Sequence, residues 1–244
     1  RASALRGLDV LGPEAELDAL ALAAWSDLVA GGNGAALDAF RAVTEARPED
    51  VAAWEGVRSA ADALGDHVTV ALASAQLGSL CKDDARGAEH WERAGLVLLE
   101  HTEAHDDAEI AFERAFSRDP SRGVAFDKLF RRVRARNEDD KLLGIIDKRL
   151  DVADDEQELS KLYWERARVL RKKGDLDAAM AALNDVTMLE REHVGAIALT
   201  GEIHIIKKQF AEAAPALARL AALPAAPNQQ RLMSGVAAAD LYEN

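Results

Sequence analysis

Residues 91–120 run WERAGLVLLEHTEAHDDAEIAFERAFSRDP. Trp91, Ala94, Gly95 and Leu98 stand at steps of three, four and seven, which is one stripe of an α-helix. Ala108, Phe112 and Ala115 form a second stripe, small then large then small. Asp119-Pro120 closes the stretch, because proline disfavours helix at the residue before it. The reading is two short amphipathic helices, a polar turn between them and a stop.

The same pair recurs on both sides. Trp54, Trp91, Phe126, Tyr163 and Ile197 each open an apolar stripe, and successive openers lie 37, 35, 37 and 34 residues apart. The second stripe recurs as Ala36-Phe40-Val43, Ala71-Ala75-Gly78, Ala108-Phe112-Ala115, Leu142-Ile146-Arg149, Ala179-Leu183-Val186 and Ala213-Leu217-Leu220. Two independent series with one period predict an all-α repeat. Turn residues divide each pair at Gly31-Gly32-Asn33-Gly34, Gly65-Asp66, Asn137-Glu138-Asp139-Asp140 and Gly174-Asp175. Pro48-Glu49-Asp50, Asp119-Pro120-Ser121 and Pro227-Asn228 separate pairs. Asp50, Ser121 and Asn228 are the expected acceptors for the free N–H groups of the helices that follow.

The pattern resembles the tetratricopeptide repeat. Trp91-Glu92-Arg93-Ala94-Gly95, the run from Ala108 to Ala115 and the closing Asp119-Pro120 match that signature almost position by position. So do Gly174-Asp175-Leu176-Asp177-Ala178-Ala179 and Gln209-Phe210-Ala211-Glu212-Ala213. The resemblance covers roughly residues 17–244. It departs from the pattern where the units starting near 51 and 123 carry extra residues and where several lack the closing proline. A different α-α repeat family is the structural alternative. The resemblance implies a right-handed α-α superhelix, a solenoid of about six to seven helix–turn–helix repeats. It forms a single domain, 1-244, with units near 17-50, 51-88, 89-122, 123-159, 160-193, 194-227 and a partial 228-244. The last pattern, Leu232-Gly235-Val236-Ala239, is a first helix without its second and is expected to expose an apolar edge.

Composition agrees. Apolar residues at 49% can fill a core, charged residues at 30% keep a surface wet, and no five or six residues alternate as a strand would. A net charge of -13 argues against a nucleic-acid binder and against adhesion to anionic membranes. The single cysteine, Cys81, excludes an internal disulfide framework, and no apolar run is long enough to insert in a bilayer. The cytoplasm is the favoured compartment. Arg1 opens the chain without a methionine or a signal-like stretch, so the sequence reads as a segment of a longer protein.

No chemistry-bearing constellation emerges. His101 and His105 are four apart, but Glu103 stands one place too late for a zincin motif. They read as polar turn residues, His67, His90 and His193 as surface or turn residues, and His204 as a core histidine. Cys81 has no nucleophilic pairing with His90. Gly31-Gly32-Asn33-Gly34 lacks the lysine and the strand of a phosphate loop. The expectation is no catalytic residue, no metal and no cofactor: not an enzyme.

One charge feature stands apart. Residues 122–136 and 161–173 each hold six basic residues against one acid in an acidic chain. In tetratricopeptide proteins the first helices line a concave groove, and the residue after the opener faces the ligand with those four and seven further on. The resemblance therefore implies a ligand site at Asp127, Arg131, Arg134, Lys161, Trp164, Arg168, Arg171 and Lys172. Tyr163 would take the core position and leave Trp164 outside, bracketed by cations. The expected partner is a protein or peptide, acidic or carboxylate-bearing, and the expected function is an interaction scaffold or adaptor. The competing reading of these residues is a solvated face paired with acids such as Asp139, Asp154 and Glu158, with Trp164 packed on the next helix. Alternatives at the level of function are an architectural spacer in a long array and a recruiting appendage of an enzyme lying outside the segment.

Overall fold

The computed structural model describes residues 12–243. Thirteen α-helices and no strands lie among them. The chain divides into two compact units, Arg1–Leu129 and Phe130–Asn244. The first holds α1 (Pro13–Val29), α2 (Asn33–Ala46), α3 (Val51–Leu64), α4 (His67–Leu80), α5 (Asp84–His101) and α6 (His105–Arg118). The division falls inside α7 (Gly123–Ala135). The second unit continues with α8 (Asp139–Leu150), α9 (Glu156–Lys173), α10 (Leu176–Leu189), α11 (Val194–Ile206), α12 (Phe210–Ala222) and α13 (Asn228–Glu243).

Helix starts follow from local acceptors. Asp50 accepts from the Ala53 N–H at 3.0 Å, Asp66 from Thr69 at 3.1 Å, Asp83 from Arg86 at 2.8 Å, Asp155 from Glu158 at 2.8 Å and Asp175 from Ala178 at 3.1 Å. Each satisfies one of the four N–H groups a helix leaves open. Two expected caps differ. The Ser121 hydroxyl instead donates to Asp119 Oδ1 at 2.6 Å, and α7 begins two residues later. Asn228 is already the first residue of α13, whose opening bond is accepted by the Pro227 carbonyl.

Turns within pairs use the left-handed conformation. Gly31, Gly65 and Gly174 have φ of 84°, 71° and 84°, and Asn137 has 56°. Lys208, between α11 and α12, has φ 57° with no glycine or asparagine to mark it in the sequence. The α5–α6 turn has no positive-φ residue among those described.

Within each unit consecutive helices pack on one another, and α1 also reaches α3. Packing mainly between sequence neighbours, with every described element helical, makes each unit an all-α helical repeat. In the first unit Phe40 is fully buried, edge-on to Trp25 at 4.9 Å between ring centroids. Its ring lies so close to α3 that a Cβ at Gly56 would meet it at 2.5 Å. In the second unit Leu183, Val186 and Ile203 form a buried cluster, and Tyr163 and Trp164 pack against it. The middle residues of the second stripes, Phe40, Phe112, Ile146, Leu183 and Leu217, are all buried, whereas Ala75 is half-buried.

Polar fasteners join successive pairs. Arg118, ending α6, donates to the carbonyls of Gly78 and Cys81 and pairs with Asp84 at 3.1 Å. Glu92 is buried on α5, where it pairs with Arg122 and accepts from the Ala125 N–H at 3.1 Å. Arg149 makes a two-pronged contact with Glu158 at 2.7 and 3.0 Å. On α13, Leu232 and Val236 are exposed and line an open cleft of about 510 Å³ with Ala221 and Ala239.

Two measurements check this account. Lys208→Gly relieves a left-handed side-chain conformation and is expected to stabilise by about 0.5–1 kcal/mol, read as a raised melting temperature; Gly65→Ala shifts it the opposite way. His90 is half-buried on α5, and desolvation holds its pKa below the ordinary histidine value. The fold therefore favours the neutral ring, the unfolded chain takes up the proton first, and stability falls as pH drops from about 6.5 toward the lower folded value. His90→Gln is expected to flatten that part of the stability–pH curve; an unchanged slope there refutes the assignment.

Candidate functional site

The cations of α9 arise from its amphipathic pattern. Leu162, Ala167, Val169 and Leu170 are buried, so Lys161, Arg168, Arg171 and Lys172 are left exposed. Most of that charge is matched. Arg168 lies 3.0 Å from Glu165, and Arg134 lies 3.4 Å from the same carboxylate. Arg171 pairs with Glu202 on α11. Lys172 bonds Asp139 at 2.9 Å and Asn137 at 3.2 Å. Lys161 and Arg131 are exposed and make no ion pair among the described residues. Asp127 is exposed on α7 and belongs to the first unit, whereas the rest of the predicted set lies in the second.

Trp164 does not stand outside as the repeat pattern implies. Tyr163 and Trp164 are both half-buried, and Leu162 takes the fully buried place. The indole lies against the backbone of α11, where a Cβ at Gly195 would meet it at 2.8 Å. It also meets the His193 ring at 4.9 Å between centroids, and Arg168 lies 5.9 Å from the indole centroid. His193 is itself held in place, its Nδ1 accepting from the Ala196 N–H at 3.0 Å as the cap of α11.

These contacts leave one edge of the indole facing an open cleft of about 390 Å³ between α9, the end of α10 and the start of α11. Lys161, Trp164 and Ser160 line it from α9, and Leu189, Glu190 and His193 from the far side. The structure thus brings together Lys161 and Trp164 from the predicted set, with Arg168 behind the indole. Glu156 also lines the cleft, so its two carboxylates outnumber the single cation. Leu189, Glu190 and His193 carry no motif; they reach the cleft only because α10 ends and α11 begins beside it.

His101 stacks flat on His67 with centroids 3.8 Å apart, and His105 Nε2 lies 3.6 Å from Glu103. No group of three histidine, cysteine, aspartate or glutamate side chains is placed to hold a metal among the described residues. His204 is half-buried rather than in the core, its Nδ1 within 3.0 Å of Gln209 Oε1. Buried Glu92 is consumed by Arg122 and the Ala125 N–H, and it raises the pKa of Arg122 by hydrogen bonding. No described helix is long and apolar enough to cross a membrane.

The family profile for the tetratricopeptide repeat matches residues 160–193, the α9–α10 pair. A search of curated protein sequences finds none that matches the chain. Among solved structures, the tetratricopeptide protein YrrB, described as having an unusual peptide-binding site, aligns at TM-score 0.48 and 17% identity over 81% of this chain and 98% of its own. Yeast Tom70 aligns at TM-score 0.48 and 13% identity over 85% of this chain and 43% of its own. A tetratricopeptide repeat protein from Parabacteroides merdae aligns at TM-score 0.40 and 16% identity over 100% of this chain and 90% of its own. Proteins of this kind generally mediate contacts with proteins or peptides and are generally not enzymes. Residues 160–193 are thus a tetratricopeptide repeat, and they stand in a run of helix pairs of similar period.

Proposed function

We infer that the chain is an interaction scaffold whose second unit holds a protein segment at the Trp164 cleft. The observation that carries this is the pairing of a fixed, half-exposed indole with Lys161, a cation not used by any ion pair among the described residues. An apolar side chain of the partner would lie on the indole edge while its carboxylate meets Lys161. Arg131 supplies a second unmatched cation on the adjoining basic helix. Arg134, Arg168, Arg171 and Lys172 would take part by exchanging one carboxylate for another. Glu156 and Glu190 in the lining disfavour a densely acidic segment, so the preferred ligand carries an isolated carboxylate beside a large apolar group. The reading extends to a single repeat domain over residues 1-244, in which both compact units serve one scaffold.

The test uses fluorescence anisotropy with two labelled peptides, one alternating leucine and aspartate sparsely along a neutral chain, the other with lysine replacing each aspartate. The aspartate peptide is expected to bind, and Lys161→Glu to weaken it about tenfold, or ~1.4 kcal/mol, with the melting temperature unchanged. Trp164→Ala should abolish binding and also cost about 1–3 kcal/mol of stability, because the indole packs on Gly195 and His193. Binding that ignores Lys161→Glu, or that prefers the lysine peptide, refutes the site. Calorimetry bears on the single domain: one cooperative transition is expected, and two transitions moved separately by Ala53→Gly and Ala182→Gly refute it.

A further inference from the structure

On α4 the residues packed inward as Ala36, Phe40 and Val43 are on α2 are Val70, Ser74 and Leu77, and Ala75 falls beside that stripe, half-buried. Beside Ala75 a predominantly apolar pocket of about 370 Å³ opens between α4, α5 and α6. Its size falls within the roughly 300–1,000 Å³ typical of ligand clefts. Trp91 and Leu98 form part of its wall, and Val68, Leu72 and Ile110 line it while each remaining more than half exposed. Three large exposed apolar side chains around one hollow form a patch of the kind that marks an interaction site.

We propose that this pocket is a second docking site, which receives a bulky apolar side chain from a basic amphipathic segment of another protein. The shape follows from the lining: an open, predominantly apolar hollow of this size walled by Ala75, Trp91, Leu98 and Ile110 admits a phenylalanine, leucine or isoleucine side chain. The charge of the partner follows from the rim. Asp107 is the one charged residue in the wall, and residues 100–107 hold Glu100, Glu103, Asp106 and Asp107 with no lysine or arginine. Cations flanking the apolar anchor would meet these carboxylates, and an acidic segment would be repelled. The site lies wholly in the first unit and is independent of the Trp164 cleft.

The experiment measures binding of two labelled amphipathic helical peptides, leucine–lysine and leucine–glutamate, to the whole chain by anisotropy. The leucine–lysine peptide is expected to bind and the leucine–glutamate peptide not to. Ala75→Phe fills the hollow without changing charge and should weaken binding at least tenfold; circular dichroism reports whether it folds. Ile110→Ser, at an exposed position that leaves the core intact, should weaken binding severalfold and serves if Ala75→Phe does not fold. Lys161→Glu should leave this binding undiminished, which separates the site from the Trp164 cleft. Equal binding by wild type and Ile110→Ser means attraction to the acidic surface alone and overturns the proposal. So does binding of both peptides alike, absence of binding, or self-association of the chain that Ile110→Ser abolishes.

Discussion

A pair of short helices cannot bury its apolar face alone, and the way each pair borrows a neighbour organises the rest of this structure. The device is a large ring laid against a glycine. Phe40 reaches Gly56 on the following pair, Trp91 reaches back to Gly78, and Phe112 closes on Gly95 inside its own pair. In each case a single added Cβ would collide with the ring, so the helices approach closely only because these positions have none. Stability is then a sum of local interfaces rather than one central core. A change at one junction is felt by its neighbours, and an opening such as the one beside Ala75 persists without disturbing the helices next to it.

Charge obeys the same spacing. Arg134 meets Glu165, Arg171 meets Glu202, Lys172 meets Asp139, Lys173 meets Asp140 and Lys207 meets Asp177. Every one of these partners lies about one repeat away in sequence. A basic helix seen in a linear window is therefore not a basic surface, because the stacking of pairs supplies the compensating acid. Exposed pairs of this kind contribute only about 0–1 kcal/mol each. Their main consequence is electrostatic: they leave Lys161 and Arg131 as the unmatched cations of the predicted set.

This explains what was legible in the chain. Helix class and the turns at Gly31, Gly65, Asn137 and Gly174 were readable because periodicity and turn residues act locally, whereas α5 and α9 begin at Asp84 and Glu156, ahead of the expected starts near 89 and 160. Lys208 was unreadable because its left-handed conformation is imposed by the α11–α12 turn rather than by a side chain suited to it. Trp164 was misplaced for a different reason. Its environment is set by Gly195 and His193, about 30 residues on, and no local pattern carries that contact. The pocket in the first unit was not legible, because Trp91, Leu98 and Ile110 come together around it only when α4, α5 and α6 are packed.

The partial burial of Trp164 bears directly on recognition. An indole free on a surface would lose rotamer freedom on binding, at about 0.5–1.5 kcal/mol for an immobilised side chain. Here the fold has already fixed the ring between Gly195, His193 and Arg168, so only the open edge remains to be covered. A side chain that belongs half to the core and half to the cleft is preorganised by the same packing that stabilises the repeat. For this chain the most informative recognition residues are those that the repeat uses incompletely. Trp164 is held on one side and open on the other, and Trp91 closes on Gly78 while also walling the open pocket between α4, α5 and α6.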